Sequence, residues 1–170
     1  MTVYVALLRA VNVGGTGKLP MSELKAMCEK EGHAKVQTYI ASGNVVFESR
    51  KPASAVKAGL EKRLHAYAGK PVGAMIRTIG ELENILKNSP FQDEPPNYTL
   101  VLFLDEKPGE ADIENLKGHK DEQLKTGTRE IYAYYPQGMG KSKLQIPAAK
   151  SGTGRNMNTV RKLLEIARNL

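Results

Sequence analysis

The feature that most constrains this chain is a pair of short segments that are apolar on both sides, Thr2 to Val11 (TVYVALLRAV) and Tyr98 to Asp105 (YTLVLFLD). Alternate residues of an extended strand point to opposite faces. In the first segment Val3, Val5 and Leu7 therefore look one way, and Tyr4, Ala6 and Leu8 the other. A strand with one wet face would carry polar groups on it, so both segments must be central strands covered twice. The residues after the first segment supply a cover. Pro20 suits a first helical turn, Met21, Leu24, Met27 and Cys28 then recur at helical spacing, and Gly32 ends the run. Val36 to Ala41 and Asn44 to Glu48 read as strands split by the hairpin signal Ser42-Gly43. A second helix over about Ala53 to Ala68 carries Val56, Leu60 and Leu64 on one stripe. Gly69-Lys70-Pro71 breaks it, and Val72 to Ile79 supplies another strand.

That order is β-α-β-β-α-β, the split βαβ arrangement of ferredoxin-like folds. A helix over about Glu81 to Asn88 then leads to the second double-sided strand. A helix near Ala111 to Lys117, strands around Glu122 to Lys125 and Arg129 to Tyr135, and a last helix from about Asn156 come after it. The expectation is an α+β fold of two tandem ferredoxin-like sandwich halves, 1–88 and 89–170, the second ending in a basic helix. The joint is Asn88 to Asn97, NSPFQDEPPN, where proline and polar residues cluster.

This topology also places loops. A helical crossover makes the first two strands of a half parallel, so the end of the first and the turn after the second share one edge. Asn12, Gly14 and Gly15 should then lie beside Ser42-Gly43-Asn44, with Gly69-Lys70 on the same edge.

Three stretches, YVALLRAVNVGG (Tyr4 to Gly15), TYIASGNVVFES (Thr38 to Ser49) and GTGRNMNTVRKLL (Gly152 to Leu164), resemble the signature segments of a bacterial domain-of-unknown-function family, number 1697. The likeness runs the length of the chain. It implies the same tandem ferredoxin-like fold and brings no established activity. The family usually has Gly where Ala10 stands, Trp where Met157 stands, and often Thr or Ala at Gly154. Without that Trp, no stacking role is expected at Met157.

Composition narrows the function classes. Apolar residues at 41% and charged residues at 25% are ordinary globular values. Nothing approaches the roughly 18 unbroken apolar residues of a membrane span. The apolar start has no basic region before it and reads as a buried strand, not a signal peptide. The lone Cys28 excludes an internal disulfide, and a cytoplasmic location is expected. The net charge of +7 is concentrated at the end, where Gln137 to Leu170 holds seven bases against Glu165 alone. Such asymmetry suggests an anionic partner.

Several chemistries fail on spacing. Gly140-Lys141-Ser142 ends like a phosphate-binding P-loop, but Tyr135 stands where its first glycine belongs. Tyr4 resembles the base-stacking aromatic of RNA-recognition modules, yet Asn44 and Val46 occupy the positions of the partner rings, and core is the better reading. His33, His65 and His119 are scattered without a second ligand at metal spacing, so no metal and no cofactor is expected. Cys28 falls on a buried stripe, and Ser42 has no elbow motif.

What is left is an anion site. Arg9, Asn12, Gly14 and Gly15 from one loop and Ser42 and Asn44 from the next form one group. Arg155 and Asn156, at the amide-rich start of the last helix, form another. Each has a plainer reading: Arg9 in a structural ion pair, the Gly, Ser and Asn as turn residues, and Asn156 or Asn158 as a helix cap. The function expected is binding of a phosphate-bearing or other anionic small ligand. The alternatives are nucleic-acid binding through the basic tail and an enzyme of unknown reaction in the same pocket. No membrane partner and no particular oligomeric state is implied.

Overall fold

The structure is a computed structural model that describes residues 1–9, 11 and 18–170. The chain divides into two compact units, Met1–Leu82 with Leu163–Leu170, and Glu83–Lys162. No helix among the described residues is long and apolar enough to cross a membrane.

The first unit runs β1 (Thr2–Leu8), α1 (Met21–Lys30), β2 (Ala34–Tyr39), β3 (Asn44–Ser49), α2 (Ala53–Ala68) and β4 (Ala74–Thr78), after which α3 (Ile79–Asn88) begins. Its strands form an antiparallel sheet in the order β2-β3-β1-β4. The doubly apolar β1 is central, as its pattern requires. Tyr4, Ala6 and Leu8 join Val45, Phe47 and Ile76 of the sheet and Leu24, Cys28, Val56, Leu60 and Leu64 of the helices in one core. On the other face Val5, Leu7, Val46 and Met75 are equally buried. Fully burying an aliphatic side chain of this size stabilises by about 1.5–3 kcal/mol, so this one strand anchors the unit. Glu31, just past α1, ties that helix to α2. It accepts a hydrogen bond from Arg63 Nε and lies 3.7 Å from Lys51 Nζ.

The second unit holds β5 (Thr99–Phe103), β6 (Gln123–Thr126), β7 (Glu130–Tyr134) and β8 (Thr153–Asn156), and α4 (Met157–Arg168) comes directly after β8. Its antiparallel sheet has the order β6-β7-β5-β8, the same permutation as the first. The fold is therefore α+β with two similar ferredoxin-like halves. The likeness extends to individual residues. Arg77 of β4 stands opposite Val5 of the central strand β1, and Arg155 of β8 stands opposite Val101 of the central strand β5. Both arginines are buried, and each donates from Nη1 to the carbonyl of the residue before it, at 2.9 Å.

Two expectations are corrected. The helix expected over Ala111 to Lys117 is one 3-10 turn, Glu110–Ile113. Asn115 at φ 51 and Gly118 at φ 76 take left-handed conformations that a right-handed helix cannot contain. Thr153 to Asn156, expected to form the open mouth of the last helix, is instead a strand. Gly154 within it and Gly152 just before it serve close packing, since a Cβ on Gly152 would lie 2.6 Å from Phe103 O and one on Gly154 3.1 Å from Leu100 Cδ1.

Candidate anion-binding site

The loop edge that topology requires is built around the end of β1. Leu8 N donates to Gly43 O, and Arg9 N donates to Gly73 O, each at 2.8 Å. The β2–β3 turn and the approach to β4 thus flank the same strand end. Gly43 is fixed there by space and conformation together. Its φ is +91, and a Cβ would meet Val11 Cγ2 at 2.5 Å and Leu8 Cβ at 2.9 Å. Asn12, Gly14 and Gly15 lie outside the described residues.

Asn44 and Ser42 hold that turn shut. Asn44 is fully buried, and its Nδ2 donates to Tyr39 O and to Ser42 Oγ, both at 2.9 Å. The turn needs the clamp because Ile40, a β-branched residue, sits at φ 51 with its side chain 49% exposed. Left-handed backbone at a β-branched residue is strained and persists only where neighbours enforce it.

Arg9 is different. It is half-buried, and its Nε is inaccessible to solvent without a hydrogen-bond partner among the described residues. The nearby carboxylate is committed elsewhere: Glu61 Oε2 accepts from Ala74 N and from Lys57 Nζ, each at 3.0 Å.

The other two expected site residues belong to the second unit. Arg155 Nη1 donates to Thr153 Oγ1 at 2.6 Å, besides its bond to Gly154 O. Burial draws its pKa down to about 10, since a desolvated guanidinium favours its charged form less. Asn156 Oδ1 accepts from Thr159 N at 2.9 Å, the N-cap geometry that satisfies one free amide of α4.

Other residues fall where the plainer readings put them. Tyr4 is buried and donates its hydroxyl to Lys51 O at 2.8 Å, so its ring offers no stacking platform. The Cys28 thiol is pushed up to about 12, first by burial and then by Glu29 and Glu31, which makes it inert at neutral pH. Among the described residues no group of three or more His, Cys, Asp or Glu could hold a metal.

His33 was not legible from the sequence as special. It is 6% exposed, its ring stacks on Phe47 at 4.3 Å and 10°, and neither ring nitrogen has a hydrogen-bond partner among the described residues. Burial, then Lys51, holds its pKa below the usual value, against the opposing pull of Glu31. The stack depends on β2–β3 pairing, which the local stretch EGHAK does not signal.

Comparison with known proteins gives a family and a fold. The sequence profile of a family described as "Protein of unknown function (DUF1697)" matches residues 1–132. No curated protein sequence matches the chain. A solved structure of a conserved bacterial protein from Streptococcus pneumoniae is similar, with a TM-score of 0.77 and 25% identity over 98% of each chain.

Proposed function

This chain belongs to the DUF1697 family of proteins of unknown function, and for it we propose binding of a small phosphate-bearing or otherwise anionic ligand at the loop edge of the first unit. The observation that carries the reading is Arg9 Nε, buried without a partner among the described residues. A buried donor left unsatisfied costs about 1–3 kcal/mol, and more when charged, so an arrangement that keeps one gains by receiving an acceptor. A guanidinium stays charged, and its planar fork matches carboxylate or phosphate oxygens. Asn12, Gly14 and Gly15 are the proposed neighbours, three residues past Arg9 and beyond. Ser42 and Asn44 shape the edge by holding its turn. Arg155 and Asn156 belong to the second unit and have internal partners, and this site does not include them.

The test is calorimetric titration of inorganic phosphate and a panel of anionic metabolites into the wild-type chain, Arg9→Lys and Arg9→Gln. Charge-assisted hydrogen bonds are worth about 1.5–3 kcal/mol. Arg9→Gln should therefore weaken a ligand by about tenfold or more, and Arg9→Lys by less. Equal affinity across all three proteins would remove Arg9 from the site. Retention of RNA or DNA that is lost only with Arg161→Ala and Lys162→Ala together would assign the function to the basic tail instead.

A further inference from the structure

The second unit contains a cleft of about 700 Å³, lined by residues of that unit alone. Two segments make it, 118–122 after the 3-10 turn and 135–143 after β7. They are braced directly against each other. Gly118, at φ 76, lies so close to the opposing backbone that a Cβ on it would sit 1.9 Å from Lys143 O. Gln145 N donates to Lys117 O at 2.8 Å, the Ser142 hydroxyl donates to the Glu122 carboxylate, and Gln137 Nε2 donates to Asp121 Oδ2 at 3.3 Å.

The bracing also engages the acids that line the cleft. Glu122 is buried, with one oxygen taken by Ser142 and the other by the Lys120 amide at 2.8 Å. Those two bonds hold its carboxyl below the usual range, so it stays ionised and occupied. Asp121 is engaged by Gln137. Both lining acids hydrogen-bond across the walls, and the three lysines of the lining outnumber them by one. Lys120, Lys141 and Lys143 are exposed, and none of the ion pairs among the described residues includes them. Lys141 and Ser142 come from the Gly140-Lys141-Ser142 stretch that failed as a P-loop. The structure gives it a different use, with the serine bracing the wall and the lysines on either side of it lining the cleft.

Two further groups complete the lining. His119 Nε2 lies 2.6 Å from Glu122 O, and a carbonyl can only accept, so Nε2 carries a proton and, in that tautomer, Nδ1 is an acceptor. Tyr135 is buried, and burial together with Glu122 raises its pKa, which keeps the phenol a donor. Three ammonium groups beside an acceptor and a donor suit a ligand that is strongly anionic at one end and hydroxylated at the other. A phosphomonoester carries about −1.5 to −2 charge at neutral pH and three acceptor oxygens, a better match to three lysines than one carboxylate. The volume is that of a small-molecule site, commonly about 300–1,000 Å³. We infer that this cleft binds a small hydroxylated phosphomonoester, its phosphate on Lys120, Lys141 and Lys143 and its hydroxyls against His119 Nδ1 and Tyr135.

The experiment is a 15N NMR titration of the full chain with glucose 6-phosphate, inorganic phosphate and glucose, reading the amides of 118–122 and 137–143. Glucose 6-phosphate should shift them at lower concentration than phosphate, and glucose should leave them in place. The variant carrying Lys141→Ala and Lys143→Ala should weaken glucose 6-phosphate at least tenfold with its unfolding midpoint unchanged. Arg9→Gln should bind at this cleft like the wild type, which separates this site from the loop edge. Four results would overturn the inference: no shift at millimolar glucose 6-phosphate, equal response to glucose, full affinity in the double lysine variant, or shifts confined to Leu8, Ser42 and Gly73. Equal affinity for phosphate and glucose 6-phosphate would overturn the assignment of the hydroxyl contacts.

Discussion

Four glycine-to-alanine substitutions separate backbone conformation from close packing, and they test the bracing on which the cleft depends. Gly140 has open space around it and no left-handed φ; Gly69, at φ 73, has open space but a left-handed backbone. Gly152 has no left-handed φ, but a Cβ there would lie 2.6 Å from Phe103 O. Gly118 combines φ 76 with a Cβ position 1.9 Å from Lys143 O. A left-handed alanine costs about 1–2 kcal/mol, overpacking about 1–3 kcal/mol, and the loss of unfolded-state freedom returns about 0.4–1 kcal/mol at any site. Gly140→Ala should thus be neutral or slightly stabilising. Gly69→Ala should lose about 1 kcal/mol, and Gly152→Ala about 1–2 kcal/mol. Gly118→Ala should lose about 2–4 kcal/mol, because the atom it strikes is backbone and cannot rotate away. Urea unfolding followed by far-ultraviolet circular dichroism gives each value as a midpoint shift multiplied by the slope m. Gly118, Gly140 and Gly152 share one unit, so their comparison holds even if the two units unfold separately. If Gly118→Ala unfolds within 1 kcal/mol (about half the smallest loss expected) of Gly140→Ala, the two loops are not in backbone contact and the cleft loses its walls.

His33 makes stability depend on pH in a definite direction. Its folded pKa lies below the ordinary value of 6.5, so the unfolded chain takes up its proton first, and stability is complete above that value and falls as pH drops through it. Glu31 is depressed below 4.5 and contributes stability that is lost only at more acid pH, outside this window. Urea midpoints from pH 7.5 to 5.5 should fall more in the wild type than in His33→Phe, which keeps a ring against Phe47; parallel curves would refute the assignment. Asn44→Ala should lose about 1–3 kcal/mol, because Tyr39 O and Ser42 Oγ lose a buried donor. Hydrogen exchange of the β2–β3 amides should accelerate with it. Normal stability with weakened ligand binding would make Asn44 a ligand contact and not a clamp.

The strands were legible where alternation or double-sided apolarity supplied a signal, as in Tyr4 to Leu8 and Leu100 to Phe103. β8 gave none. Thr153 to Asn156 has two polar residues, a glycine and an arginine, and it becomes a strand because β5 offers it a partner some 50 positions earlier in the chain. The same distance hid the burial of Arg155, which read locally as a surface cation. Ser42-Gly43-Asn44 was legible as a turn because local backbone chemistry determines it, although the clamp made by Asn44 has two equally local interpretations. The helix expected near Ala111 failed at Asn115 and Gly118, whose left-handed conformations no helix can contain, and Gly118 packs against the opposing loop at Lys143.

The two sheets share a strand order and a buried arginine on the outer strand beside the central one, yet their crossovers differ in kind. In the first unit β1 to β2 and β3 to β4 cross through α1 and α2, whose apolar stripes complete the core. In the second, β5 to β6 and β7 to β8 cross through loops that hold only short 3-10 turns. A helix satisfies its own amides, whereas a long loop must find acceptors for them elsewhere. Here side-chain oxygens supply two: Glu122 accepts from Lys120 N, and Ser142 from Leu144 N. Replacing Glu122 with Gln should loosen the loops, because the amide keeps one acceptor oxygen where the carboxylate has two, and it also removes one negative charge from the cleft lining.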